Sequence, residues 1–127
     1  KTELSKIVQK VRKGLKEDLK KLVDFASRNS HVDASYKLVC HEIMNETKSK
    51  NPKVRLHMMY AVLHLTRETT KKRNYRMRLA QRFEKLLVPN FARVVNGHAS
   101  DSSQALHEDQ LEKLSRVLAK WREIRVF

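Results

Sequence analysis

The sequence contains few of the residues that make tight turns. Only two glycines and two prolines occur among its 127 residues. β-Sandwiches and α/β domains need many tight turns and phosphate loops, which depend on these two residue types. Because 40% of the residues are hydrophobic, a packed core is still expected. The sequence therefore predicts an all-α fold.

Cysteine and long apolar runs are also scarce. The single cysteine, Cys40, cannot form a disulfide within the chain, which fits a reducing compartment. No apolar run approaches the roughly 20 residues that span a bilayer. The N-terminus lacks the charged-then-apolar pattern of a signal peptide. We therefore expect no membrane partner.

Acidic residues are far outnumbered by basic ones. The chain has 28 Lys and Arg against 14 Asp and Glu, a net charge of +14. Such a surplus favours phosphate-bearing partners, and hence a binding module over an enzyme. The length corresponds to one domain over 1–127, and the start at Lys1 predicts that it is a piece of a longer protein.

Residues with catalytic or metal-binding chemistry are present, but not in a usable pattern. His57 and His64 are seven positions apart, His41 lies elsewhere, and no carboxylate pair stands at ligand spacing. A glycine-rich phosphate loop is missing too. We predict no enzyme activity, metal, cofactor or small-molecule substrate. We interpret His57 and His64 as partly buried side chains that make hydrogen bonds or line a groove.

Apolar residues recur at helical spacing along most of the chain. The first three predicted helices cover 3–13, ending before Gly14; a short stretch from Leu19 that ends at Arg28-Asn29-Ser30; and 36–44, with Ser30 and Asp33 as capping residues. The remaining four run from Asn51-Pro52 to 65, from Tyr75 to Pro89, from Phe91 to Gly97, and over 111–124. The fourth is apolar nearly all the way round, which is typical of a central helix. The polar stretch 98–105 is predicted to be a surface loop.

The densest basic run lies at the fifth helix. Its members are Lys71, Lys72, Arg73, Arg76, Arg78 and Arg82. The helical members are predicted to face outward, either as a solvated face or as a patch that follows a nucleic-acid backbone. Few aromatic residues are interleaved, so a stacking platform for single-stranded bases is not expected.

The segment from Leu114 to Phe127 resembles the closing motif of CTD-interacting domains, also called CID or RPR domains. It reads Arg116-Val-Leu, then Trp121, then a terminal Val-Phe. Further similarity to the family's third and fourth helices lies in Tyr36-Lys-Leu-Val39, Pro52 and Met59-Tyr60. The resemblance implies a right-handed superhelix of about seven to eight helices, related to the VHS and ENTH domains.

The same resemblance implies a nuclear module that binds the heptad-repeat C-terminal tail of RNA polymerase II. Family members bind this tail, usually phosphorylated, along helices 2, 4 and 7, and act in transcription termination, RNA processing and splicing. Two stretches resemble the splicing-associated branch of the family, namely Arg55-Leu-His-Met-Met-Tyr60 and Val88-Pro89.

Residues for a phosphopeptide site are carried over from this resemblance. Arg116 matches the arginine that binds a phosphoserine, whereas Tyr60 and Trp121 match core positions and are interpreted as packing. The full predicted site comprises Arg116, Lys16, Lys20, Tyr60, Leu63, His64, Lys113 and Lys120.

One position departs from the family pattern. Many members have an aspartate three residues after the tyrosine that matches Tyr60, and it accepts a hydrogen bond from the heptad's tyrosine hydroxyl. Leu63 stands there and cannot accept one, which makes the neighbouring His64 the candidate substitute. Two alternatives stay open: RNA binding through the basic run, and a protein–protein adaptor in a splicing or repair scaffold.

Overall fold

The structure, a computed structural model, describes residues 2–32, 34–68 and 73–124. Seven α-helices and two 3-10 turns lie in these ranges: α1 (Glu3–Val11), α2 (Lys16–Arg28), α3 (Ser35–Glu46), α4 (Pro52–Glu68), α5 (Arg73–Leu87), a turn at Val88–Asn90, α6 (Phe91–Asn96), a turn at Ser102–Gln104, and α7 (Glu108–Ile124). No strand occurs among the described residues, so the all-α prediction is confirmed. None of these helices is long and apolar enough to cross a bilayer.

Glycine, asparagine and proline set several helix ends, as predicted. Gly14 has a φ of 74°, a backbone conformation that ends the first helix without the strain other residues would suffer. The Oδ1 of Asn51 accepts a hydrogen bond from the Lys53 amide at 2.9 Å, and Pro52 opens α4. Pro89 lies in the 3-10 turn that separates α5 from α6.

The second helix is longer than predicted. It begins at Lys16 rather than near Leu19 and runs for 13 residues. Its first turn carries Glu17 and Asp18, and negative charge there is favourable at the positive end of the helix dipole. The prediction was wrong because it followed the apolar stripe, which begins one turn later than the helix itself.

Two side chains have other roles than predicted. Ala34 precedes the first turn of α3, and Ser30 instead donates from its Oγ to the Ser27 carbonyl at 2.9 Å, so Ser30 does not cap that helix. Asp33, the other predicted cap, lies outside the described residues. Leu111, expected on the buried stripe of α7, is 40% exposed. The buried stripe of that helix instead runs through Gln110, Leu114, Val117 and Trp121.

Helix α4 occupies the centre of the fold, as its apolar pattern predicted. It contacts α1, α2, α3, α5, α6 and α7. Ten of its 17 residues are buried. Each fully buried leucine or methionine side chain contributes roughly 1.5–3 kcal/mol, and α4 supplies more of the described buried apolar side chains than any other helix. The less buried residues of α4 remain at the protein surface, where they can line a groove.

One charged residue of α4, Arg55, is fully buried. Its Nε donates to the Val94 carbonyl at 2.8 Å, its Nη1 donates to the carbonyls of Ser49 at 2.9 Å and Lys50 at 3.1 Å, and its Nη2 donates to the carbonyl of Gln104. Burial lowers the pKa of the Arg55 guanidinium. The side chain therefore ties the segment before α4, helix α6 and the second 3-10 turn to the central helix.

Candidate functional site

A groove of about 330 Å³ lies between α4 and α7. Helix α4 lines it with Tyr60, Leu63, His64 and Arg67, and helix α7 lines it with Lys113, Arg116, Val117 and Lys120. Each set repeats at spacings of three and four residues, so each forms one stripe on its helix. The two helices pack against each other, which places the stripes on opposite walls of one groove.

The groove has an apolar floor and basic walls. Leu63 and Val117 are buried beneath it, while three cations of α7 lie at its surface. The Arg116 side chain is 70% exposed, and its Nη2 donates to Glu112 Oε1 at 2.6 Å, one turn earlier on the same helix. An exposed pair of this kind contributes about 0.3–0.5 kcal/mol. Arg116 can therefore exchange Glu112 for a phosphate oxygen at little cost.

Tyr60 both packs on the core and lines the groove. Its ring stacks on His57 with centroids 6.0 Å apart, and the His57 Nδ1 lies 2.7 Å from the Arg12 carbonyl. Partial burial raises the pKa of the Tyr60 phenol, and the positive charge of Arg116 opposes that rise. The phenol therefore remains a neutral hydrogen-bond donor near the arginine. The packing interpretation of Tyr60 describes only one side of this ring.

His64 is oriented by a carboxylate of its own helix. Its Nδ1 lies 2.9 Å from Glu68 Oε2, and this hydrogen bond lowers the pKa of the Glu68 carboxyl. When the neutral ring donates from Nδ1, its Nε2 is left as an acceptor. The second carboxylate oxygen, Oε1, accepts from Arg67 Nη2 at 3.4 Å. In that tautomer His64 carries a free acceptor nitrogen at the position next to Leu63.

Six of the eight residues predicted for a phosphopeptide site line this groove. The other two, Lys16 and Lys20, are exposed on α2 and do not line it. Trp121 is buried, in agreement with its packing interpretation. Sequence reasoning missed Arg67, although it lies seven residues after Tyr60 and three after His64, on the same stripe of α4.

The predicted basic run does not form one outward face. Lys71 and Lys72 lie outside the described residues, and Arg73 is exposed. Arg78 and Arg82, one turn apart, share the side of α5 nearest α3, where the Arg78 guanidinium lies 6.0 Å from the Tyr36 ring centroid. Arg76 is half-buried on another side of that helix. The prediction of an outward position was wrong for Arg76 and for Arg82, which is half-buried beside the apolar stripe of α5.

The histidines make hydrogen bonds, as interpreted. Both His57 and His64 are partly buried and have the partners described above, and His41 Nε2 lies 3.2 Å from the Asn45 amide. In the part of the chain that the structure describes, no group of three or more His, Cys, Asp or Glu is placed to hold a metal ion.

Comparison with known proteins identifies the family of the chain. A family model described as CID domain matches residues 2–127, essentially the whole sequence. No curated protein and no solved structure matches the chain. CID domains are helical protein-interaction modules and are in general non-enzymatic. The chain belongs to the CID domain family.

Proposed function

We propose that this domain is a non-catalytic nuclear module that binds the phosphorylated heptad-repeat tail of RNA polymerase II and couples transcription to RNA processing or termination. Its site is the α4–α7 groove. Binding of that tail is the activity known for the family. The observation that carries the proposal is a set of four cations on the two walls of the groove, above its apolar floor. These cations are Arg67 on α4 and Lys113, Arg116 and Lys120 on α7.

The cations of α7 suit a phosphoserine. A phosphoserine carries about −1.5 to −2 charges and three acceptor oxygens at neutral pH. The planar fork of Arg116 can bind two of those oxygens, while Lys113 and Lys120, one turn before and after it, add point charges. In this arrangement Arg116 distinguishes a phosphorylated heptad from a plain one.

The α4 wall suits the tyrosine of the heptad. Leu63 offers an apolar contact to its ring, and the His64 Nε2 offers an acceptor to its hydroxyl. Glu68 keeps the imidazole in the tautomer that this role needs. The histidine thereby takes over the hydrogen bond that an aspartate makes in many family members.

Fluorescence anisotropy of a labelled two-heptad peptide, plain and phosphorylated, tests the proposal. We expect phosphate-dependent binding with a micromolar dissociation constant. Arg116→Ala should weaken binding of the phosphopeptide about tenfold or more, since a charge-assisted hydrogen bond contributes roughly 1.5–3 kcal/mol. Binding of the plain peptide should hardly change.

The matched control is Arg122→Ala, which removes the same charge from an exposed position of α7 outside the groove lining. Equal losses in the two variants would contradict the role of Arg116. A further arm replaces the heptad tyrosine by phenylalanine: this should weaken binding to the wild-type domain and have no effect in His64→Ala. No binding of either peptide to the folded domain would favour the adaptor alternative.

A further inference from the structure

A second cationic pocket, of about 250 Å³, lies between α3, α5 and α6. Its apolar surface comes from Met44, Leu86 and Val94, and its charge comes from Lys48, Arg82 and Arg93. No aspartate or glutamate is among its lining residues in the described chain. It shares no residue with the α4–α7 groove, where Glu68 and Glu112 are paired with the cations.

Among the residues that the structure describes, the cations of this pocket lack acidic partners. None of Lys48, Arg82 and Arg93 forms an ion pair with another described residue. The Nε of Arg82 is buried and has no hydrogen-bond partner among the described residues. A buried donor without an acceptor is unfavourable, and the Arg82 side chain lines the pocket, so an anion that enters would meet uncompensated positive charge.

The neighbouring thiol does not supply that anion. Burial raises the pKa of Cys40 to about 12, although the charge of Arg82 opposes the rise. Cys40 is therefore a neutral thiol at physiological pH, and its Sγ lies 3.9 Å from the Leu79 carbonyl as a weak donor. Arg82 is left facing the pocket without a compensating negative charge.

Further cations lie along helix α5. A second recess, lined in part by Arg73, Asn74 and Arg78, lies at the other end of α5. Helix α5 is 15 residues long, which corresponds to about 22 Å. Positive charge distributed over that distance fits a polyanion with repeated phosphates better than one phosphorylated side chain.

The mouth of the pocket also offers groups that suit a nucleobase. The amides of Asn45 and Asn90 and the rings of His41 and His98 line it beside the apolar surface. Amide side chains form hydrogen bonds with base edges, and apolar side chains and imidazole rings pack against base faces. We propose that this pocket, together with the cations that lie along α5, binds single-stranded RNA, with phosphates on Arg82, Arg93 and Lys48.

The test compares two double variants that each remove two positive charges. Lys48→Ala/Arg93→Ala alters exposed residues of the pocket, and Lys113→Ala/Lys120→Ala alters exposed residues of the α4–α7 groove. The probe is a labelled single-stranded RNA of mixed sequence, roughly 12 nucleotides long, titrated with the 127-residue chain at about 50 and 200 mM salt. The labelled two-heptad phosphopeptide serves as a second probe.

The pocket variant should bind RNA about tenfold more weakly and lower the salt slope by about 1.4, because each single-strand phosphate contact contributes about 0.7. The groove variant should change RNA affinity less than about twofold. Equal losses would mean non-specific attraction to the net charge and would overturn the proposal. So would a pocket variant that loses phosphopeptide binding but not RNA binding. Because RNA is measured separately, the result does not depend on tail binding.

Discussion

Replacement of Arg55 by methionine tests whether one buried guanidinium holds separate segments of the chain together. Arg55 donates to the backbone carbonyls of Ser49, Lys50, Val94 and Gln104. Methionine is similarly long and flexible but has no donor, so the variant fills the site while those four hydrogen bonds are lost. The carbonyls belong to three segments that Arg55 connects to α4.

The magnitude follows from the number of carbonyls. Loss of a partner costs about 1 kcal/mol per buried group at the low end of the usual range, and only the bond to Val94 is fully buried while the other three are partly exposed, so the four together cost at most about 4 kcal/mol. Burial also lowers the pKa of Arg55, which means that desolvation opposes the charge, and removal of the charge recovers part of the cost. We expect the free energy of unfolding to fall by about 2–4 kcal/mol, out of the roughly 5–15 kcal/mol typical of a domain.

Urea unfolding followed by circular dichroism measures this loss. The control is Arg28→Met, because Arg28 is 61% exposed and pairs with Glu3 at 3.0 Å on the surface. That variant should lose less than about 1 kcal/mol. Arg55→Lys should recover only part of the loss, since an ammonium lacks the planar fork. A loss below about 1 kcal/mol in Arg55→Met would refute the connecting role.

Two further predictions concern a glycine and a carboxylate. Gly14→Ala should destabilise the domain by about 1–3 kcal/mol in the same urea assay, because φ is 74° and a Cβ would lie 2.6 Å from the His57 Nε2; an unchanged midpoint would contradict this. The hydrogen bond from His64 lowers the pKa of Glu68, so the contribution of this carboxylate to stability is present above its unfolded pKa and is lost as pH falls through the folded pKa. Glu68→Gln should therefore flatten the acid side of the stability profile as pH falls below about 5, and parallel profiles would refute it.

Much of the fold could be predicted from the sequence because the positions and ends of the helices depend mainly on interactions between residues close together in the chain. The apolar stripes place the main helices, and the nearly continuous apolar run of α4 identifies the central one. Gly14 and Pro52 mark ends because their backbone preferences act within a few residues. The start of α2 was missed since polar first-turn residues, such as Glu17, leave no apolar signal.

The candidate site was predictable only in part because it depends on the pairing of distant helices. The stripe that contains Arg116 could be predicted from the sequence of α7 alone. The sequence near α7 does not indicate that α4 forms the opposite wall of the groove, because that is a tertiary contact. Arg67 was missed for this reason, as a charged residue at the end of an apolar helix reads as solvated. Arg82 was misplaced for the converse reason, since contact with α3 covers a side of α5 that periodicity leaves open.

The pairing of cations with carboxylates gives the two proposed sites different selectivity. In the α4–α7 groove a ligand must displace Glu112 from Arg116, and a phosphoserine, with about −1.5 to −2 charges, can outcompete a single carboxylate. An RNA phosphate carries one negative charge and has no such advantage. The pocket of Arg82 and Arg93 has no acidic lining residue in the described chain, so a singly charged phosphate meets no competitor there. Because the exposed Arg116–Glu112 pair contributes only about 0.3–0.5 kcal/mol, this competition should change RNA affinity for the groove by about twofold, and a Glu112→Gln variant should raise that affinity by no more than this amount.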